Sequence, residues 1–203
     1  MNEQTRISLL LAGPGVIATL IFAPLVMALF YSAKFAAATG ILRWICLGAT
    51  LQVITWPMGF IIIAKGAQAL FFWCEVAWVV VSVGLALVCV TTFGLNGAGI
   101  AFFGSYLFHL FLIYPVVHRL SAFHFSVENK HTAILLLSLI AVVFCGIYLL
   151  PLLPALTLGA IALVASSMYS VRILLTLVWA QRIPRRVRLV LAALDIRFAS
   201  RNP

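Results

Sequence analysis

The chain has 203 residues, 65% hydrophobic and only 8% charged, with 13 Lys/Arg against 4 Asp/Glu for a formal charge of +9. Soluble domains carry about a quarter charged residues, so this composition excludes an ordinary soluble enzyme or binding module. Repeated apolar runs of about 18 residues or more instead define an all-α, polytopic membrane bundle. The surplus of positive charge in such a chain marks cytoplasmic loops and argues against nucleic acid as a partner. Met1–Arg6 is short and polar, and the apolar stretch behind it, about 25 residues, is too long for a signal-peptide core. Cys46, Cys74, Cys89 and Cys145 lie in apolar segments without metal-like spacing and read as small core residues, so neither metal nor cofactor is expected.

Hydropathy outlines six spans, at Ile7–Tyr31, Thr39–Ala64, Ala69–Thr92, Ala98–Val117, Thr132–Leu150 and Pro154–Trp179, within a transmembrane lobe over residues 1–181. One side of the membrane collects Arg6, Lys65, Arg119, Lys130 and the arginines after residue 181, whereas the other holds Lys34 and Arg43. The positive-inside rule then places both termini in the cytoplasm.

The first span contains Gly13-Pro14-Gly15 and Pro24, which favours a helix that bends or accommodates substrate, as broken transporter helices do. Tyr31 and Phe35, in the turn behind it, suit the membrane interface.

The second span, within GILRWICLGATLQVITWPMGFIIIAKG (residues 40–66), carries features a plain anchor lacks. Arginine inside a span costs about 2.5–3.5 kcal/mol on insertion scales and faces protein or water. Pro57 disturbs the hydrogen bond to the Val53 carbonyl, a break tolerated where neighbours satisfy the freed group. On a helical wheel Arg43, Thr50 and Pro57 share one face and Gly48, Gln52, Thr55 and Gly59 the opposite one, so this helix is expected to be buried on both sides. Pro14, Pro24 and Pro57 are the candidate hinges.

The third span brings Glu75 about two turns in from its cytoplasmic end, and the sixth brings Arg172 at similar depth. An ion pair between them, or a neutral Glu75, would lower the burial cost and form a candidate ion-coupling site. Arg172 snorkelling to the interface is the structural alternative. Between spans three and four, Asn96-Gly97 suits positive φ, and Gly97, Ala101 and Ser105 give a small-residue spacing for close helix packing.

The connection Val117–His131, with His118, His124, Glu128, Lys130 and His131, is expected as a solvated cytoplasmic loop, since its spacings match no zinc motif. The basic tail, residues 182–203, places Val187, Val190, Leu191, Leu194 and Phe198 on one helical face and is expected on anionic lipid of the inner leaflet.

The order of AGPGVIATLIFAPLVMALFYSAKF, ILRWICLGATLQVITWPMGFIIIAKG and FGLNGAGIAF resembles the C-terminal half of bacterial polysaccharide flippases. These are the Wzx-type O-antigen translocases of the multidrug/oligosaccharidyl-lipid/polysaccharide exporter superfamily. The resemblance covers Glu3 to Val127 and is strongest at Tyr31–Phe35, Leu42–Trp44, Trp56–Gly59, Ala64–Gly66 and Phe93–Phe102. It rests on order and spacing; beyond Thr132 only topology and hydropathy match.

The resemblance implies one six-helix lobe of a two-lobed carrier, moving polyprenyl-pyrophosphate-linked oligosaccharide to the outer leaflet of the bacterial inner membrane. The second lobe is expected from a separate chain, a missing N-terminal half or self-association, and the lone lobe is not expected to transport. Arg43, with Thr50 and Gln52 on the same helix, is the candidate substrate contact, because guanidinium pairs bidentately with phosphate. A non-enzyme is expected. Competing readings are a drug/cation antiporter of the same superfamily using Glu75, a membrane transferase using His118 or His124 as base, and a non-transporting scaffold.

Overall fold

In lipid the backbone must satisfy its own hydrogen bonds, which leaves continuous helices as the natural form for so apolar a chain. The computed structural model describes residues 2–31, 33–121 and 124–182. Six α-helices follow in order: α1 (Asn2–Phe30), α2 (Thr39–Ala64), α3 (Gln68–Phe93), α4 (Gly97–Ser121), α5 (Val127–Leu149) and α6 (Leu152–Arg182). By length and composition five stretches qualify as membrane spans, and the third, Gln68–Ser121, doubles back as α3 and α4. Those two helices have 26 and 25 residues. Each is therefore about 38 Å long at 1.5 Å per residue, longer than the ~30 Å hydrocarbon core. The protein is a multi-pass membrane protein with an all-α fold.

Each reversal has its own local cause. A short 3-10 segment, Ala33–Ala38, joins α1 to α2, with the Tyr31 and Phe35 rings 6.0 Å apart. Gly66, at φ +75°, ends α2. The Ala67 amide donates to the Ile62 carbonyl and the Gly66 amide to Ile63, the crossed pair of a Schellman cap. Between α3 and α4 the left-handed residue is Gly94, at φ +60°, while Gly97 is helical at φ −56°. The turn chemistry expected of Asn96-Gly97 is thus supplied three residues earlier, because α4 already begins at Gly97.

Prolines 14, 24 and 57, and Pro115 in α4, all lie inside helices that continue through them. The candidate hinges therefore do not break α1 or α2. The expected loop Val117–His131 is shorter than its length suggested. Its first residues complete α4, and α5 starts at Val127, where the Ser126 hydroxyl caps it by accepting from the Asn129 amide at 3.2 Å. Glu128, Lys130 and His131 are on the first turns of α5. The amphipathic tail, expected over residues 182–203, lies beyond Arg182 outside the described residues.

Helix α2 is the most enclosed of the spans. Its glycine face meets α4: Gly48 lies against Phe102 and Phe103, and Gly59 against Ile113, while Gly99 of α4 lies against Ile41 and Trp44. Its other side meets α1. Helix α3 packs antiparallel on α4, since Gly97 touches Cys89, Gly104 touches Leu85 and His109 touches Glu75. Helices α1, α5 and α6 complete the bundle on the far side of α2.

Two apolar clusters fill the interior. Leu9, Met58, Ile62, Ile113, Val117 and Leu136 pack near one end, and Ile17, Leu20, Cys46, Ile140 and Val143 toward the other. Arg6 at the start of α1 pairs with Glu128 at the start of α5, and the Thr132 and Tyr169 hydroxyls are 3.4 Å apart. The start of α1 and the later part of α6 therefore share one end of the bundle.

Lipid offers no hydrophobic drive between helices, so association rests on van der Waals packing where small residues let backbones approach. A Cβ at Gly99 would stand 2.7 Å from Trp44 Cβ and 2.8 Å from the Ile41 carbonyl oxygen. At Gly15 nothing lies within 4 Å. In thermal unfolding in maltoside micelles, Gly99→Val is expected to destabilise by about 1–3 kcal/mol through overpacking. Gly15→Ala is expected to stabilise slightly through helix propensity. Equal melting of the two variants would refute the close α2–α4 contact.

Candidate functional site

Two cavities with a charged side chain in their walls lie near opposite ends of α2, while the buried polar side chains Thr5, Asn129, Thr132, Ser166 and Ser170 sit apart from both, on α1, α5 and α6. The first is built around Arg43, in the second turn of α2, which enters from the 3-10 segment after α1. Its guanidinium stands 5.8 Å from the centroid of the Tyr148 ring of α5, within cation–π range. Arg43 borders a cavity of about 270 Å³ whose other walls are Ile21 and Pro24 of α1, Ile147 at the end of α5, and Leu152, Ala155 and Leu156 of α6. Nε of Arg43 is buried without a hydrogen-bond partner. No acidic side chain lines the cavity, and Arg43 makes no ion pair among the described residues. Among the described residues, then, this cation has no counter-charge. It is chemically equipped to receive an anion, and phosphate suits the planar fork of its donors.

The two residues grouped with Arg43 do not share this cavity wall. Thr50 is buried and donates its hydroxyl to the Cys46 carbonyl at 2.9 Å, and it borders a separate apolar cavity with Trp44, Phe103 and Phe144. Gln52 is half-buried and lies half a helical turn round from Arg43. Of the prolines, Pro24 lines the Arg43 cavity, and Pro57 lines a smaller one with Gln4 and Ser8 of α1.

The second place lies between α2, α3 and α4, toward the end marked by Arg6 and Lys65. A pocket of about 280 Å³ is lined by Thr55, Trp56, Gly59 and Phe60 of α2, Phe71, Glu75 and Trp78 of α3, and Tyr106 and His109 of α4. Gly59 lets the Phe71 ring approach α2 closely, since a Cβ there would stand 3.1 Å from the ring. His109 is 4% exposed. Its Nε2 stands 3.4 Å from Glu75 Oε1, close enough for an ion pair yet outside hydrogen-bond geometry, so neither ring nitrogen is hydrogen-bonded. Trp78 Nε1 is likewise buried and unpartnered. The Trp78 and Tyr106 rings lie 5.4 Å apart and each flanks the imidazole. Leaving a buried donor or acceptor unsatisfied costs about 1–3 kcal/mol, so this cluster is suited to a ligand or bound water.

The expected pairing of Glu75 with Arg172 is not formed. Arg172 is exposed on α6, and α6 makes no contact with α3, which stands on the opposite side of α2 and α4. Glu75 instead faces His109. The depth of both charges from the same membrane face suggested their pairing, but helix adjacency decides partners. His109 lies within the fourth span, Ala98–Val117, where hydropathy alone gives it no partner. The available signal was that α3 and α4 are joined by a tight turn and run antiparallel, which brings residues 75 and 109 level.

His118 and His124 meet edge to face with ring centroids 4.4 Å apart, and Tyr114 stacks on both His118 and Phe125. No cluster of three or more His, Cys, Asp or Glu side chains able to hold a metal ion occurs among the described residues.

Comparison with protein-family models, curated proteins and solved structures finds no match to this chain.

A double-mutant cycle on thermal stability separates the two pairings of Glu75. Glu75→Gln and His109→Phe are expected to be coupled by about 0.5 kcal/mol or more, as groups in contact are. Glu75→Gln and Arg172→Ala are expected to add within about 0.5 kcal/mol, as groups without shared partners do. Coupling to Arg172 but not to His109 would overturn the placement of α3 against α4.

Proposed function

We propose that the chain is one lobe of a carrier that moves polyprenyl-pyrophosphate-linked oligosaccharide across the bacterial inner membrane, with both termini cytoplasmic. Arg43 is its phosphate contact. The observation that carries this reading is the Arg43 cavity: an intramembrane guanidinium whose Nε has no hydrogen-bond partner, apolar walls from α1, α5 and α6, and no carboxylate beside it among the described residues. An arginine kept in a span at a cost of about 2.5–3.5 kcal/mol without an acidic partner calls for an anionic one. The order of sequence landmarks shared with polysaccharide flippases supports the same cargo class. Lys65, Arg119 and Lys130 cluster at the end of the bundle opposite Arg43, which supports the cytoplasmic assignment of that end.

A carrier must enclose a hydrated sugar chain between walls, and the cavity beside Arg43, about 270 Å³, holds only a fragment of such a cargo. A second lobe therefore completes the pathway, either as a separate chain, as an N-terminal half or as another copy. The reaction is translocation without bond making, so no catalytic residue is assigned.

The test is complementation in cells lacking their polysaccharide flippase, with surface polysaccharide as readout and the lipid-linked intermediate measured in parallel. The chain is expressed alone and with an N-terminal six-helix half of a related flippase, and rescue is expected only for the pair. Within the pair, Arg43→Ala is expected to lower export about tenfold or more, with Arg43→Lys falling between, since lysine keeps the charge but loses the fork. Full export with Arg43→Ala would remove the phosphate role. No rescue by a well-expressed, co-purifying pair would discard the carrier reading.

A further inference from the structure

The pocket between α2, α3 and α4 is separate from the Arg43 cavity, and its chemistry is opposite. Its one charged side chain is Glu75, about one-third exposed, and no lysine or arginine lines it. Aromatic rings make up most of the remaining wall, and their faces attract positive charge. A carboxylate among π-faces repels anions and favours cations.

The arrangement of acceptors narrows the class further. Glu75 Oε1 and His109 Nε2 are 3.4 Å apart and are not hydrogen-bonded to each other. One ammonium nitrogen can donate a separate N–H to each, with the imidazole neutral, and so replace the long contact between them by two charge-assisted hydrogen bonds. A bare metal ion needs more hard donors than this wall supplies, and the apolar surface around the pair suits a carbon body instead. Trp56 and Phe60, at the rim, are 59% and 58% exposed on the outer surface of the bundle. A ligand thus enters sideways from the membrane phase.

The geometry points to a binding site for a protonated amine carrying an apolar or aromatic body. Glu75 is the counter-ion, His109 the second acceptor, and the rings of Trp56, Trp78 and Tyr106 the walls. The ammonium group belongs either to a free amphiphilic amine or to an aminophospholipid headgroup.

The experiment uses the purified full chain in maltoside micelles and radiolabelled phenethylammonium in equilibrium dialysis. Saturable binding is expected, with 2-phenylethanol, the neutral analogue, and 3-phenylpropionate, the anionic one, each competing about tenfold or more weakly. Glu75→Gln is expected to weaken binding about tenfold or more, and His109→Phe several-fold. Phe60→Ala tests the wall without removing a polar contact, because its ring is exposed and apolar, and is expected to weaken binding while leaving the melting temperature unchanged.

Displacement by added phosphatidylethanolamine, but not by phosphatidylglycerol, would assign the site to a lipid headgroup. Failure of both lipids to displace would assign it to a free amine. Absence of saturable binding, equal competition by the alcohol, or full binding by a folded Glu75→Gln protein would each overturn the proposal. The readout does not involve polysaccharide export, so this site and the carrier reading can fail separately.

Discussion

The close approach of α2 to α4 is the contact on which the rest of the bundle depends. In hydrocarbon an apolar surface gains little by leaving lipid, so helices hold together where their backbones come near enough for dense packing. Gly48 and Gly59 on α2 and Gly99 on α4 create that nearness, and Phe102, Phe103, Ile113 and Trp44 fill the grooves they leave. Helix α3 is then carried by α4, through Gly97 at one end and the Glu75–His109 contact toward the other. Helices α1, α5 and α6 are assembled on the remaining side of α2 around Leu20, Ile140 and Val143.

With α2 at the centre, polar groups in its neighbourhood can be sheltered from lipid without forming one continuous polar core. Arg43 and the Glu75–His109 pair occupy opposite ends, separated along α2 by roughly 24 Å between the levels of Arg43 and Gly59. Between them Leu51 and Ile54 are buried, and the hydroxyls of Thr50 and Thr55 are turned back onto carbonyls of their own helix. The two sites therefore present opposite charge to their cavities. One offers a guanidinium beside the Tyr148 ring and an aliphatic wall; the other offers a carboxylate among aromatic rings.

Much of the fold was legible along the chain. Six spans, their short connections and the double-sided burial of α2 follow from hydropathy, from the glycine-rich face and from the presence of Arg43 and Pro57 in one helix. Boundaries were least legible where polar residues continue a helix: Glu128, Lys130 and His131 read as loop because they are charged or titratable, yet Ser126 caps the helix ahead of them. Prolines read as hinges because each removes a backbone donor. A bend does not require the helix to end, and the helices run through these positions, since one lost hydrogen bond need not end a helix whose other groups remain paired.

By itself the sequence determined that this is a helical membrane protein, which residues are costly to bury, and that Arg43 and Glu75 need partners within the protein. Those conclusions depend on transfer energies and periodicity, which are properties of each segment alone. Only the tertiary structure decided who the partners are. It put Glu75 beside His109 and away from Arg172, left Arg43 with Tyr148 and no acid, and separated Thr50 and Gln52 from the Arg43 cavity. The reason is that pairing depends on which helices adjoin and on their rotation. Small residues on facing helices set both, and the hydropathy of a single span records neither.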